Sequence, residues 1–225
     1  MDAVRVALLR EVLAGTEWLE ATRRFAGTLR ASVGPHGGGL LLVGSEEYEP
    51  WHLAAHLDDE AAWSGLPELS PTLVRHRVRP GEPAHLAVGL GRIESARRGE
   101  TLLVVVPGAP GGGLLERVHD ARRAGATVLA LDGGDRDLHA LAHDALAVPG
   151  GLIPPVTAQD PAAGPPDGGR PAGPPGSEIG LDTVQHLVSA AAGENRLPPP
   201  RGRRGFRERL TGFVEQLTVP PPTRW

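Results

Sequence analysis

The sequence predicts an α/β domain: a doubly wound, flavodoxin-like parallel sheet of five strands with helices on both faces. Two observations carry this. Short apolar runs bounded by glycine or polar residues recur along the chain, LLLVG at 40–44, TLLVVV at 101–106 and ATVLAL at 126–131. Strands buried on both faces read this way. Stretches with helical apolar spacing lie between them, and alternating strands and helices fold into a parallel sheet covered on both sides.

The elements follow in order. Residues 3–31 read as a helix, with Leu8, Leu9, Val12 and Leu13 on one face and Trp18, Leu19, Thr22, Phe25 and Leu29 continuing it. The first strand, 40–44, follows a glycine-rich loop. A helix is expected over 49–62, with Pro50 near its first turn, where proline is tolerated. TLVRHRV (72–78) alternates like a strand. AHLAVGLGRIESARR (84–98) reads as a helix weakened by two glycines. After the strand 101–106, the spacing predicts a helix over 112–125 closed by Gly125. Then come a strand at 126–131, a short helix at 135–143 with Asp135 as its N-cap, and a last strand at 145–148. Ligands in such folds sit beyond the carboxyl ends of the strands, here the loops after Gly44, Val106 and Leu131.

Residues 149–178 break the alternation. Proline and glycine fill 16 of these 30 positions, which reads as an insertion without packed structure. A helix returns at 180–192. A second linker leads to 206–217, where Phe206, Leu210, Phe213, Val214 and Leu217 form an apolar helical stripe. That stripe either docks on the chain's own domain or meets another subunit or partner. The expected organisation is therefore an α/β domain at 1–148, an insertion at 149–178, a closing helix at 179–193, and a linker with an amphipathic helix at 194–225.

Composition narrows the function. The 225 residues are 40% hydrophobic, enough for a real core, and the formal net charge of −4 argues against general nucleic-acid binding. The absence of cysteine excludes disulfides and cysteine metal sites. All 23 basic residues are arginine, which with the abundant Ala, Gly and Pro reads as coding bias. The charged N-terminus does not resemble a signal peptide, and no apolar run is long enough to span a bilayer. A cytoplasmic location without membrane contact is the expectation.

Three places could carry chemistry. His52 and His56 stand at i and i+4 on one predicted helix face, so both could reach one ion. The first loop, Gly44-Ser45-Glu46-Glu47-Tyr48-Glu49, holds three carboxylates. It reads either as a solvated acidic loop or as a site for a neutral or cationic ligand or a metal. The second loop contains Gly108, Gly111 and Gly112. Their amides could meet an anion at a helix N-terminus, but Pro107 and Pro110 supply no N–H. A retained anion site and a plain structural turn both remain open. Asp132 follows a strand end and could face the ligand crevice, but it, His119, His139 and His143 read as structural.

Residues 96–149 resemble the second half of a SIS (sugar isomerase) domain, in particular its phosphoheptose isomerase branch. The tail G-x-x-V-I-A-L-T is matched by Gly125, Ala126, Thr127, Val128, Leu129, Ala130 and Leu131, and Glu116 falls on the family's helix glutamate. Residues 41–57 resemble that branch's first motif, with His52, Ala54, Ala55 and Leu57 coinciding. The resemblance covers roughly 3–150, with 178–193 as the C-terminal helix. It implies a SIS-type fold, self-association into dimers or tetramers, and a phosphate-binding crevice at Gly44, Ser45, Glu46, Gly108, Gly111 and Gly112. The family's Ser/Thr-rich loop, however, is Val106-Pro107-Gly108-Ala109-Pro110-Gly111-Gly112-Gly113 here, and Glu46 replaces a family serine. The resemblance also implies a zinc site at His52, His56 and His186. A His and a Glu serve metal binding and acid–base work at the first two positions, but His56 replaces that Glu, and His186 is the counterpart of a C-terminal-helix histidine. His56 and His186 are the corresponding catalytic candidates. Surface or interface histidines are the alternative.

Three functions follow. The first is a non-catalytic binder of a small sugar-phosphate-like ligand, or a regulatory or dimerisation module. The second is a metal-dependent sugar-phosphate isomerase with an altered site. The third is an interaction scaffold using the C-terminal amphipathic helix.

Overall fold

A computed structural model describes residues 17–34, 38–148 and 180–194. The expected insertion at 149–178, the amphipathic helix at 206–217 and the first half of the helix expected over 3–31 lie outside the described residues.

Five parallel strands form one sheet in the order β2-β1-β3-β4-β5. They are β1 (Leu40–Val43), β2 (Pro71–Val74), β3 (Thr101–Val106), β4 (Thr127–Asp132) and β5 (Asp144–Ala147). This is the doubly wound, flavodoxin-like order. The chain reverses direction across the sheet after β2, so the switch point lies between β1 and β3. The middle strand β3 is buried at every position, which is why TLLVVV reads as an unbroken apolar run.

Each face has its own core. Leu40, Leu42, Leu103, Val105, Leu129 and Leu131 face α1 (Glu17–Ser32), α2 (Trp51–Ser64) and α6 (Leu181–Gly193). Leu41, Val43, Leu102, Val104, Val106 and Val128 face the short α3 (Gly91–Glu94), α4 (Gly112–Arg123) and α5 (Arg136–Leu141). The alternation of these residues along each strand follows from the two-residue repeat of the pleat. No described helix is long and apolar enough to cross a membrane.

Two expectations need correction. The strand read at 72–78 ends at Val74, and only Arg75 makes one further bridge, to Gly89. Beyond it Pro80 and Gly81 turn the chain. The helix read at 84–98 is reduced to Gly91–Glu94. Residues 83–87 form three-residue turns instead, Leu86 N–H to Pro83 O and Ala87 N–H to Ala84 O. Glycines at 89 and 91 remove the helical preference, and the bridge from Gly89 to Arg75 takes the backbone away.

Caps close two of the described helices. Gly125, at φ +96°, turns the chain after α4 in a left-handed conformation that glycine adopts freely. Asp135 caps α5, its carboxylate accepting from the Leu138 N–H at 2.8 Å. Asp135→Ala should cost about 1 kcal/mol, read as a fall of a few degrees in melting temperature with unchanged metal binding. Arg30 of α1 reaches the C-terminal carbonyls of α6, at Ala192 (3.1 Å) and Glu194. A cation there complements the negative helix end.

Candidate metal centre

The site grows out of the crossing of α2 and α6. Gly193 allows that crossing, because a Cβ at this position would lie 3.1 Å from the Cβ of Glu60 and 1.9 Å from its Oε2. His52 and His56 share one face of α2, as their spacing predicts. His186 lies on α6, which packs against both α1 and α2. The His52 Nε2 is 2.7 Å from the His186 Nε2 and 3.1 Å from the His56 Nε2. The three ring centroids are 4.1–4.6 Å apart. His52 is exposed, His56 half-buried and His186 buried, and one ligand nitrogen from each lies within 4.8 Å of the others.

The donor set suits a borderline-soft divalent ion. Zinc takes imidazole nitrogen at about 2.0–2.1 Å in tetrahedral geometry. Nitrogens around such an ion stand roughly 3.3 Å apart. The two close nitrogen separations, 2.7 and 3.1 Å, fall below that value, so ring rotations that open them would be needed to centre three lone pairs on one point. Imidazoles must be neutral to bind a metal. His56 meets this need: its burial, and then the neighbouring charge of His52, hold its pKa below the ordinary histidine value, against the opposing pull of Asp59.

That depression has a pH consequence. A histidine whose folded value is lowered takes up its proton first in the unfolded chain. The native state is thus favoured above the unfolded value of about 6.5 and loses this contribution as pH falls from there through the folded value. Chelator-treated protein should show a falling urea midpoint between pH 8 and pH 5, and His56→Gln should fall less steeply.

The two loops expected around a phosphate behave differently from one another. Gly44 is buried, and a Cβ on it would stand 1.8 Å from the Tyr48 carbonyl oxygen. Ser45 is buried too. Glu46 is exposed and pairs with Arg77, which with His76 holds the pKa of its carboxyl below the ordinary carboxylate value. Glu49 pairs with Arg75 and accepts the Trp51 indole N–H at 2.8 Å, while Arg75 also pairs with Glu82 and covers the Trp51 ring at 5.0 Å. The acidic loop is therefore not a bare cluster of carboxylates. Two of its three are matched by arginines that follow β2. These pairings depend on where the chain goes after β2, and no local pattern announces them.

In the second loop, Pro107, Gly108 and Ala109 face Gly133, Gly134 and Asp135 across an open cleft of about 250 Å³. Gly111 sits at φ +80° immediately before α4, and Gly112 begins it. This cleft shares no residue with the histidine cluster.

No family model matches the sequence, and no curated protein matches it. Among solved structures, the chain is similar to the sugar isomerase domain of an RpiR transcription factor from Sphaerobacter thermophilus. The identity is 12%, the match covers 96% of this chain and 93% of that one, and the TM-score is 0.42.

One pair was read as merely structural in the sequence and proves more engaged. Asp132, fully buried at the carboxyl end of β4, accepts from the His139 Nε2 at 2.7 Å and from the Asp135 N–H at 2.8 Å. An aspartate ending an apolar strand, followed seven residues later by a histidine, was the available signal. His143 serves the fold, its Nδ1 accepting the Val128 N–H at 3.0 Å. His119 is exposed on α4.

Proposed function

We propose that this chain binds a divalent transition-metal ion, zinc in the first instance, at His52, His56 and His186, and uses the site to hold a small sugar-like ligand. The convergence of three imidazoles from two helices is the observation that carries this reading. Three protein ligands leave one zinc position open. An ion there supplies a Lewis acid toward an oxygen of the ligand. His52 and His56 present their nitrogens from one helix face, while His186 closes the triad from the second helix.

The SIS-type reading supports the ligand class. It rests on the sequence motifs at 41–57 and 96–149 and is consistent with the strand order. On the same grounds the chain is proposed to self-associate, with its metal site near the carboxyl edge of the sheet. The phosphate subsite is the weaker part of the family pattern, since the second loop carries none of the family's hydroxyls and Glu46 replaces a serine in the first.

Isothermal titration of chelator-treated protein with zinc tests the metal reading. One ion per chain, with no binding of magnesium, is expected, because imidazole donors suit zinc and oxygen donors suit magnesium. Absence of zinc binding at micromolar concentrations would remove the reading.

A further inference from the structure

The outer side of α2 carries residues that the histidine cluster does not use. Leu53, Ala54, Leu57 and Ala61 bury the inner side of the helix. His52, His56 and Glu60 follow one another at intervals of four along the side that meets α6. Ala55, Asp59, Ala62 and Trp63 line the outer side, and all four are exposed. Trp63 is 64% exposed, the most open of the large apolar side chains among the described residues.

The charge of α2 is also unusual for a helix end. Asp58, Asp59 and Glu60 stand in a row in its second half, and its last turn has no basic residue. Carboxylates near the negative end of a helix dipole are unfavourable. The neighbouring helices are built the other way. α1 ends with Arg30, α4 ends with Arg122 and Arg123, and the end of α6 receives Arg30.

The described chain leaves the fold beside this place. Gly193, the last residue of α6, closes on Glu60, one turn before Trp63. Eleven residues, 195–205, separate Glu194 from the apolar stripe at 206–217, which lies outside the described residues. Such a stretch reaches at most about 36–40 Å. The 14 residues of α2 measure about 21 Å, so its whole outer side is within reach. The chemistry of the segment is the complement of that side. Residues 195–209 hold six arginines against one acidic residue, Glu208. The stripe contains two of the chain's three phenylalanines, Phe206 and Phe213.

We propose that residues 206–217 dock on the outer side of α2 in the same chain, with the stripe against Ala62 and Trp63 and the arginines before it over Asp58 and Asp59. The contact covers the exposed indole with aromatic and aliphatic side chains, which pair favourably with it. It also brings to the end of α2 the positive charge that the helix does not carry itself. A second copy would offer the same segment. The tether, however, holds the chain's own segment at an effective concentration on the millimolar scale, so the same-chain contact prevails at ordinary protein concentrations. The inference stands apart from the metal reading, since no outer-side residue is a proposed ligand.

Paramagnetic broadening in the full chain tests the contact. The sequence has no cysteine, so Thr211→Cys, off the stripe, carries a nitroxide label at a single site. Amide signals of residues 58–64 should broaden, while those of α4 and α5 stay sharp. Trp63→Ser should abolish the broadening. Raising sodium chloride from about 0.01 M to about 1 M shortens the Debye length from about 30 Å to about 3 Å and should weaken it. When nitroxide-labelled chain is mixed with isotope-labelled chain that lacks the nitroxide, α2 should stay sharp. Sharp α2 signals in the labelled chain, broadening centred on another element, or broadening that persists undiminished in Trp63→Ser or at high salt would overturn the proposal. So would broadening in the mixture, which would mean that a second copy occupies the face. The mapping on the chain with Trp63 in place needs no folded variant, so the test holds even if Trp63→Ser fails to fold.

Discussion

His186→Ala is expected to abolish zinc binding at micromolar concentration, a loss of at least a hundredfold in affinity. The imidazole of His186 is the one buried member of the triad, and it alone comes from α6. Removing it leaves His52 and His56, a two-ligand site on one exposed helix face, which binds zinc much more weakly than a three-ligand site. Stability should respond in two ways. Without metal, the variant loses buried contacts and the His52–His186 bond, and its melting temperature falls slightly. With metal, the difference widens. Saturating zinc at 100 times its dissociation constant adds about 2.7 kcal/mol to the wild type, or several degrees for a domain of this size, and adds nothing to the variant. A zinc-induced shift retained in His186→Ala would show that the ion sits elsewhere. His52→Ala should remove the shift as well, while Asp135→Ala should keep it.

Gly44→Ala is expected to be the most damaging single-methyl change among the described glycines. Its Cβ would meet the Tyr48 carbonyl oxygen at 1.8 Å, the Tyr48 carbonyl carbon at 2.9 Å and the Pro50 Cδ at 2.8 Å. These are backbone and ring atoms, which cannot rotate away as a flexible side chain can. Gly44 is buried at the end of β1, where its carbonyl also accepts from the His76 Nε2–H at 3.0 Å. Overpacking of this kind costs about 3 kcal/mol or more, a drop of about 6–12 °C in melting temperature for a domain of this length. Thermal denaturation with zinc present and absent measures it. The β1–α2 loop carries Tyr48 and leads directly into His52, so the surviving protein should also bind zinc less tightly. A variant as stable as the wild type would mean that the loop closes less tightly on Gly44 than described here.

The strands were legible because both faces of this sheet are covered. Runs such as 40–44, 101–106 and 126–131 had to be almost wholly apolar. The helix expected over 84–98 failed for the converse reason. Leu86, Val88, Leu90 and Ile93 have the right apolar character, but Gly89 and Gly91 leave the backbone free, and the bridge to Arg75 decided the outcome. The first two histidines were visible as an i, i+4 pair. His186 lies 134 residues from His52 in sequence, and only the family resemblance, not any local pattern, pointed to it. The pairing of Glu46 and Glu49 with Arg77 and Arg75 was invisible, because charge alternation in a segment says nothing of which loop it will meet. The pairing of Asp132 with His139 was hidden for a related reason: burial of the carboxylate depends on α5 folding back over the end of β4.

The helix α6 bears no hydrogen-bonded ladder to the sheet. It is held by apolar packing against α1 and α2, by Arg30 at its C-terminal end, and by the amide link from Gln185 to Tyr48. An ion shared between it and α2 would act as a clasp on the last of the described elements. Whatever free energy the ion gains on binding is then invested in keeping α6 docked, and stripping the ion should loosen that helix before the sheet. Hydrogen exchange at residues 181–193 would register it first, while the β3 amides stay protected. On this view occupancy by metal is a report on whether α6 has docked on α2.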